Sequence, residues 1–404
     1  MLGAVSSVSD QPDNDIKAPT APLHWRTKLI ASQLKAPSGF QSLAPSIHRG
    51  STVVFNRLAD AVDDWHQRGG YVYGLYGTPT SVELGMRIAD LEGARHTFIV
   101  PGGQAALALV YLAYCQAGSH ALVPDSAYGP NVDIARGLLA GLNIDVELYD
   151  PLIGGAIASR IRSNTTLIWC ESPGSITMEV QDVPAIAAAA HARGVAVAVD
   201  NTYAAGILFD GFAHGVDVNV QALTKYVGGH SDLLLGSVSA RDEATYERVG
   251  RMHSLLGMAV SPDDCALALR GWQTLGVRLE RLERTATTIA VWLKQRPEVS
   301  LVLHPAFPDC PGHDIWKRDF TGTSSLFSIV LAEDWDAARV ARFLEGLQLF
   351  KMGFSWGGVT SLVMAYPDTP RIRADYRPRI VRLNVGLEEP ADLIADLQQS
   401  LETA

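Results

Sequence analysis

Short, continuous runs of apolar residues between residues 96 and 223 place the strongest constraint on the fold. They lie at 96–100 (HTFIV), 106–114 (ALALVYLAY), 120–124 (HALVP), 144–149 (IDVELY), 165–170 (TTLIWC), 195–199 (VAVAV) and 218–223 (VNVQAL), with helical stretches between them. A strand buried on both faces has such an unbroken run, whereas a half-buried strand alternates apolar and polar residues. Alternating strands and helices therefore predict a mainly parallel sheet with helices on both faces.

The C-terminal part of the chain follows a different pattern. Residues 261–296 have apolar positions at helical spacing, which predicts a long helix that bridges to a second domain. Beyond it, TSSLFSIVLA (323–332) and PRIVRLNVG (378–386) alternate with short helices and predict a smaller α+β unit. The polar residues 1 to about 23 show no periodicity and are expected to form a flexible tail. With 404 residues, 47% of them hydrophobic, the chain is large enough for a sizeable core.

Charge and cysteine content exclude several classes of protein. The net charge of −10 repels nucleic acid and anionic membranes, so neither is expected as a partner. Four scattered cysteines suit neither a disulfide framework nor a zinc site, and no metal is expected. The longest apolar run, 105–115, is well below the roughly 20 residues that a membrane-spanning helix needs. Residues 1–9 have neither a basic cluster nor an apolar segment, so a secretory signal is not expected. We expect a cytoplasmic protein.

Two glycines mark the first candidate site. Gly102 and Gly103 stand between the run HTFIV and an apparent helix, and the chain has neither a P-loop nor a G-x-G-x-x-G turn. Unpaired amides at a helix N-terminus favour an anion, and glycines let a phosphate approach closely. When the pair is considered alone, an ordinary strand-to-helix turn is the favoured explanation.

Two ionisable residues follow later apolar runs. Asp200 comes directly after VAVAV, where it either holds a proton on a basic heterocycle or caps the following turn. Lys225 follows VNVQAL and lies among Leu223, Tyr226 and Val227, which suggests partial burial. Most lysines are solvated surface charges, but burial lowers a lysine pKa and makes the amine nucleophilic.

The three features together match one cofactor. Pyridoxal 5′-phosphate (PLP) needs a site for its phosphate, an acid beside its pyridine nitrogen and a lysine for its aldehyde. The glycine turn, Asp200 and Lys225 supply these groups. The sequence therefore predicts a PLP site more specifically than any of the three features does alone.

Nearly all of residues 50–390 resembles the Cys/Met-metabolism family of PLP-dependent enzymes, the trans-sulfuration enzymes. The segments with this resemblance are YGLYGTPT (73–80), VPGGQAAL (100–107), DSAYGPN (125–131), ESPGSITMEVQD (171–182), VDNTYAAG (199–206), ALTKYVGGHSD (222–232), HPAFPDCPGHDIWKRDFTG (304–322), FSWGG (354–358) and VRLNVGLE (381–388). The TKY-x-x-GHSD string is highly specific for the family. FSWGG and WKRDFTG narrow the resemblance toward its β-lyases.

The resemblance implies a fold-type-I, aminotransferase-like α/β subunit with a mainly parallel seven-stranded sheet and a smaller C-terminal α+β domain. It implies a tail and arm at 1–74 that reach a neighbouring subunit, a PLP-binding large domain at 75–268 and a small domain at 269–404. It also implies a homotetramer, assembled as a dimer of dimers with active sites at the dimer interface.

The resemblance assigns a role to each site residue. Lys225 forms the Schiff base, Asp200 pairs with the ring nitrogen, and Tyr128 stacks on the cofactor ring. The remaining cofactor contacts are implied at Gly102, Gly103, Gln104, Ser175, Thr224 and, from the neighbouring subunit, Tyr73. Arg382 binds the substrate α-carboxylate, a task suited to its planar guanidinium, and Ser355 and Trp356 line that pocket.

Four positions depart from the family pattern. The usual Tyr-x-Arg reads Tyr73-Gly74-Leu75, so the arginine that reaches the phosphate across the dimer is replaced by leucine. Tyr76 stands where β-lyases often have a second arginine. Many relatives also have Asn in place of Ser175 and Ser in place of Ala222. Looser phosphate anchoring is expected, since a lost charge-assisted contact typically costs about 1.5–3 kcal/mol.

The activity implied is a carbon–sulfur lyase reaction, α,β-elimination from L-cystathionine to homocysteine, pyruvate and ammonia. Lys225, Asp200 and Tyr128 are the expected catalytic residues, and the substrate is a small amino acid. Three alternatives stay open at this point. They are a broader cysteine-S-conjugate β-lyase or cysteine desulfhydrase, a γ-lyase or γ-synthase of the same family, and a PLP-binding regulator without turnover.

Overall fold

The computed structural model describes residues 23–30, 42–67, 70–369 and 371–404. Residues 1–22 of the expected flexible tail lie outside this range. The described helices are α1 Trp25–Ile30, α2 Pro79–Glu92, α3 Gly103–Tyr114, α4 Gly129–Ile134, α5 Val183–His191, α6 Glu243–Leu256, α7 Pro262–Leu293, α8 His313–Asp319, α9 Ala337–Gly346 and α10 Pro390–Thr403. Short 3₁₀ or π turns occupy Leu58–Asp60, Gly74–Tyr76, Ala135–Leu139 and Gly154–Ser159.

A seven-stranded sheet forms the larger unit. Its strands are β1 His96–Val100, β2 His120–Pro124, β3 Asp145–Tyr149, β4 Thr165–Glu171, β5 Ala196–Asp200, β6 Val218–Gln221 and β7 Gly236–Ala240. Their order is β1-β7-β6-β5-β4-β2-β3, and only the pairs that include β7 are antiparallel. The expectation of a mainly parallel seven-stranded sheet is therefore confirmed.

Both faces of this sheet are buried, as the unbroken apolar runs predict. Alternate residues of a strand enter different clusters: Trp169 packs with α3 on one face, and Ile168 and Cys170 pack with α5 on the other. The run at 106–114 is the exception among the seven, since it lies in helix α3 and not in a strand. A buried helix is as uniformly apolar as a buried strand, so the run alone does not separate them.

A second, five-stranded sheet forms the smaller unit. Its strands are β8 Val299–Leu303, β9 Leu326–Leu331, β10 Lys351–Met352, β11 Leu362–Ala365 and β12 Ile380–Asn384. Their order is β10-β11-β12-β9-β8, with every pair antiparallel except β10–β11. The predicted smaller α+β unit is confirmed, because α9 and α10 pack on this sheet.

Helix α7 joins the two units. It begins behind the Ser261 cap, whose hydroxyl accepts from the amides of Asp263 and Asp264, and continues for 32 residues. Trp272, near its start, packs in a cluster with Tyr226, whereas Leu293, at its end, packs against the second sheet. The domain boundary placed at 268/269 falls inside this continuous helix. Among the described residues, no helix has the length and apolarity to cross a membrane.

Candidate active site

Lys225 lies in the turn that follows β6, at the carboxyl edge of the large sheet. Its Nζ donates to Ser355 Oγ at 2.7 Å and lies 5.5 Å from the centre of the Trp356 ring. Burial and the nearby Arg382 cation lower the pKa of Lys225 to about 8, against the opposing pull of Asp200. At pH 7 about a tenth of this amine is then neutral, far more than for an exposed lysine. The FSWGG segment therefore lies directly against the Lys225 amine.

Asp200 is the last residue of β5 and is fixed by Thr202. The Thr202 amide and hydroxyl donate to Asp200 Oδ1 at 3.0 and 2.5 Å, and the same hydroxyl accepts from the Ala222 amide at 2.9 Å. Thr202 therefore ties the aspartate to the turn of Lys225. Desolvation raises the pKa of Asp200, while the Thr202 hydrogen bonds and Lys225 oppose that shift. Both readings of Asp200 fit, because the carboxylate organises its turn and also faces the lysine.

Glu171 is a second carboxyl group beside Asp200, and it is absent from the residues singled out by sequence. It ends β4 in register with Asp200 on β5, and it is only 9% exposed. Burial and the Asp200 charge hold the pKa of Glu171 well above its usual range. The signal in the sequence was its position, since Glu171 directly follows an apolar run just as Asp200 does.

Tyr128 stands at the start of α4, on the rim of the same site. Its amide donates to Glu171 Oε2 at 2.8 Å, and its side chain is 40% exposed. Burial and Glu171 raise the pKa of its phenol, against the effect of Arg382. A tyrosine placed near Asp200, Glu171 and Arg382 presents an accessible aromatic face, as ring stacking requires.

The glycine pair lies where helix α3 meets the Lys225 turn. Gly102 precedes this 12-residue helix, and a Cβ on Gly103 would stand 2.9 Å from the Ala222 Cβ. The close approach explains the need for glycine at 103. The first intrahelical bond recorded runs from the Ala106 amide to the Gly102 carbonyl, so the amides of Gly103 and exposed Gln104 precede the helical ladder. This is the geometry that favours a phosphate.

Arg382 projects from β12 of the small unit. Its side chain is 6% exposed, its Nη2 donates to the Ser355 carbonyl at 3.2 Å, and its guanidinium lies 5.0 Å from the Tyr366 ring centre. Ser355 thus contacts both Lys225 and Arg382. Its φ of 106° and the φ of 80° at Gly357 bend the FSWGG segment, and a Cβ on Gly357 would approach Lys225 to 3.1 Å.

Thr224 and Ser175 have protein partners in this structure. The Thr224 hydroxyl donates to the Leu235 carbonyl at 3.2 Å and accepts from the Leu235 amide at 3.1 Å. The Ser175 amide donates to the Ser126 carbonyl, and its own carbonyl accepts from Arg371 at 2.9 Å. The cofactor contacts of Thr224 and Ser175 stay predictions.

Arg371 links two loops of the site and was not found from the sequence. Besides Ser175, it donates to the Asp125 carbonyl at 2.8 Å, three residues before Tyr128. It comes from the connection between β11 and β12, 196 residues from Ser175 in the chain. A polar, proline-containing connection gives no local signal for such a role.

Tyr73, Leu75 and Tyr76 have no contact with Lys225 or Asp200 among those described above. The Tyr73 backbone pairs with Thr52, and its side chain is 46% exposed. Leu75 and Tyr76 line a cavity of about 380 Å³, whose other walls include Phe98 and His253. The Tyr76 hydroxyl donates to Asp63 at 3.1 Å. A contribution of Tyr73 across a dimer interface stays a prediction.

The chemistry of the assembled groups fits PLP. A lysine amine of lowered pKa, a desolvated carboxylate, an accessible tyrosine and the first amides of α3 lie in neighbouring segments at the carboxyl edge of the sheet. Arg382 is buried and, within the described part of the chain, donates one hydrogen bond, to the Ser355 carbonyl. Its other N–H groups are available to an anionic substrate group. Lys225, Asp200 and the Gly102–Gln104 turn are therefore the residues suited to hold the cofactor.

Comparison with known proteins agrees with this geometry. The chain is 41% identical to the cystathionine beta-lyase of Bordetella avium, over 89% of this chain and 92% of the relative. It is 39% identical to cystathionine beta-lyase MetC of Escherichia coli, over 87% and 91%. The crystal structure of metB from Corynebacterium glutamicum superposes with a TM-score of 0.87 at 27% identity, over 94% of this chain and 98% of that one. The family model for Cys/Met metabolism PLP-dependent enzymes matches residues 26–402, and the protein belongs to this PLP-dependent family.

Proposed function

We propose that the protein is a carbon–sulfur lyase that converts L-cystathionine to homocysteine, pyruvate and ammonia. The observation that supports this most is the meeting of Lys225, Ser355 and Arg382, which joins a reactive amine to a carboxylate-binding guanidinium. Relatives at 39–41% identity over most of the chain bear the name cystathionine beta-lyase, and this gives the substrate.

Substrate binding follows from the buried guanidinium. Arg382 offers paired N–H donors in the geometry of a carboxylate, and its low exposure strengthens that contact. Ser355 holds the guanidinium through its carbonyl and the Lys225 amine through its hydroxyl. The α-carbon of a bound amino acid is thereby directed toward Lys225.

Proton transfers are assigned to the residues around Lys225. When bound, PLP supplies the electron-withdrawing ring that stabilises negative charge at the substrate Cα. With the cofactor bound, Asp200 would keep the pyridine nitrogen protonated, and Tyr128 would offer its aromatic face to the ring and assist in deprotonating the incoming amine. The Lys225 amine removes the Cα proton and, once protonated, delivers a proton to the departing sulfur. Homocysteine leaves, and water hydrolyses the released three-carbon enamine to pyruvate and ammonia.

Product analysis tests the proposal. The holoenzyme is incubated with L-cystathionine and the keto acid is identified by mass spectrometry, with Lys225→Ala as the blank. Pyruvate is the expected product, whereas 2-oxobutyrate would assign γ-elimination and no keto acid would favour a non-catalytic role. S-ethyl-L-cysteine serves as a second substrate that lacks the distal amino acid group. Equal kcat/KM for both substrates would assign a broader cysteine-conjugate lyase.

We further propose a homotetramer built from two dimers, in which Tyr73 of one subunit reaches the phosphate of the next. The segment before Tyr73 supports an intersubunit role, since Val54 and Leu58 are almost fully exposed and apolar. A cytoplasmic location is also proposed, because all four cysteines are free thiols, the form that a reducing compartment maintains. Analytical ultracentrifugation of the holoenzyme measures the assembly directly.

Leu75→Arg is expected to tighten PLP binding. In the proposed dimer Leu75 occupies the position of an arginine that reaches the phosphate, so a guanidinium there adds a charge-assisted contact. The expected gain in the free energy of PLP binding is only about 1–2 kcal/mol, because the surroundings of residue 75 are shaped to fit a leucine side chain. Fluorescence titration of apo-protein with PLP measures it, and Leu75→Met controls for side-chain length. Unchanged or weaker binding in Leu75→Arg would mean that other donors already saturate the phosphate.

The reactivity of Lys225 is expected to rise with pH through about 8. Only the neutral amine attacks an aldehyde, and the lowered pKa moves its appearance down from the usual range of lysine. Covalent capture of PLP by apo-protein, trapped with borohydride at short times, should therefore level off above pH 9. Capture that climbs steadily to pH 10.5 would show that Lys225 is not perturbed.

A further inference from the structure

Arg382 is a buried cation without a carboxylate partner among the residues that the structure describes. The hydrogen bond recorded for its guanidinium is the one to the Ser355 carbonyl, at 3.2 Å. A buried charge normally needs a partner to offset its lost hydration. An acidic side chain would meet that need, but it would also occupy the donors that a substrate carboxylate requires.

Tyr366 supplies a different kind of partner. The guanidinium carbon of Arg382 lies over the Tyr366 ring, 5.0 Å from its centre, within the range of a cation–π interaction. This contact stabilises the cation through the ring face and takes up none of its N–H groups, so those that do not bond Ser355 stay available to a substrate. The pKa of the Tyr366 phenol is raised by burial, so the ring is neutral at physiological pH.

The strand pairing fixes the ring relative to the guanidinium. Tyr366 directly follows β11, in which Met364 pairs with Arg382 and Ala365 pairs with Val381 on β12. The Tyr366 amide continues this ladder by donating to the Ile380 carbonyl at 3.2 Å. The ring also packs against a buried cluster that includes Ile176, Met178, Tyr203, Leu326 and Ile380. Its position is therefore set by the backbone and by a buried cluster to which both units contribute.

We propose that Tyr366 is a positioning residue for the substrate α-carboxylate. Its ring holds Arg382 with the N–H edge toward the substrate and leaves the positive charge unneutralised until a carboxylate binds. This inference rests on the proposed role of Arg382. It predicts that Tyr366 increases the affinity for ligands that have an α-carboxylate. The affinity for ligands without an α-carboxylate should not depend on Tyr366.

A matched pair of ligands tests this prediction. L-alanine and ethylamine differ only by the carboxylate, and neither has a leaving group at Cβ. Their affinities are measured for the holoenzyme from the change in its visible absorption spectrum. Tyr366→Leu is expected to weaken the binding of L-alanine about tenfold, which lies between the effects of an exposed and of a fully desolvated cation–π contact, and to leave ethylamine binding within twofold. Tyr366→Phe keeps the ring and should match the wild type for both ligands.

Tyr376→Leu is the control for a merely structural effect. Tyr376 packs against the same buried cluster as Tyr366, so its loss perturbs the same core. This variant should bind both ligands like the wild type. If Tyr366→Leu fails to fold, Tyr366→Met also removes the ring but has an unbranched, flexible side chain that fills irregular gaps, and the same tenfold weakening is expected.

Three results would overturn the proposal. They are equal weakening of both ligands in the ring-deleted variant, unchanged binding of L-alanine in that variant, and a Tyr366→Phe variant as weak as Tyr366→Leu. Arg382→Gln separates the two levels of inference, since it should abolish the preference for L-alanine over ethylamine. A preference that survives in Arg382→Gln would refute the role of Arg382 itself. Because no elimination occurs, the outcome does not depend on which S-linked amino acid is the true substrate.

Discussion

Lys225→Ala is expected to abolish turnover, with a loss of about 10⁴-fold or more in kcat. The substitution removes the amine that attaches the cofactor and also removes the general base and acid for the Cα proton and the sulfur. The methyl side chain of alanine can neither attach the cofactor nor transfer a proton. The Ser355 hydroxyl also loses the hydrogen bond that it accepts from Lys225. The measurement is pyruvate formation from L-cystathionine at saturating PLP. Borohydride should fix no cofactor at position 225, as peptide mapping would show.

Lys294→Ala is the matched control for this variant. Lys294 is an exposed lysine paired with Asp309 at the end of α7, and its removal should leave kcat unchanged.

Addition of a small primary amine, such as methylamine, should restore part of the proton transfer in Lys225→Ala. Full activity in Lys225→Ala without added amine would remove the central assignment of this site.

Asp200→Asn is expected to lower kcat about 10²- to 10³-fold while the fold is retained. The amide oxygen of asparagine still accepts from the Thr202 amide and hydroxyl, so the turn keeps its hydrogen bonds. What is lost is the negative charge that keeps a proton on the pyridine nitrogen, and charge stabilisation of this kind is among the largest catalytic contributions. Steady-state kinetics at saturating PLP and the thermal unfolding midpoint measure the two effects separately.

Asp217→Asn provides the contrast, because Asp217 is a structural carboxylate of the same sheet. It accepts from the Val197 amide and from His191, both at 2.9 Å, and it pairs with Arg241. Its replacement should reduce the free energy of unfolding by about 1–3 kcal/mol with kcat unchanged. Turnover near that of the wild type in Asp200→Asn would mean that another acid protonates the ring, and the adjacent Glu171 is the group to replace next.

The sequence by itself predicted six of the seven strands of the large sheet, all except β7, and singled out Asp200 and Lys225. Unbroken apolar runs predicted strands buried on both faces, and the clusters on either side of Trp169 and Ile168 confirm this. Asp200 and Lys225 could be singled out because each directly follows a buried run, and parallel strands bring their carboxyl ends to one edge. This information is local, since burial and strand periodicity are determined by a few consecutive residues.

Only the tertiary structure decided which side chains of the site contact one another. Ser355 meets Lys225 across 130 residues, and Arg371 meets Ser175 across 196. Glu171 stands beside Asp200 because of the β4–β5 register, and Tyr366 lies under Arg382 because of the β11–β12 register. These contacts depend on how two sheets pack around α7 and on strand pairing between distant segments. No local pattern in the sequence encodes such distances, because they arise from the close packing of the whole core.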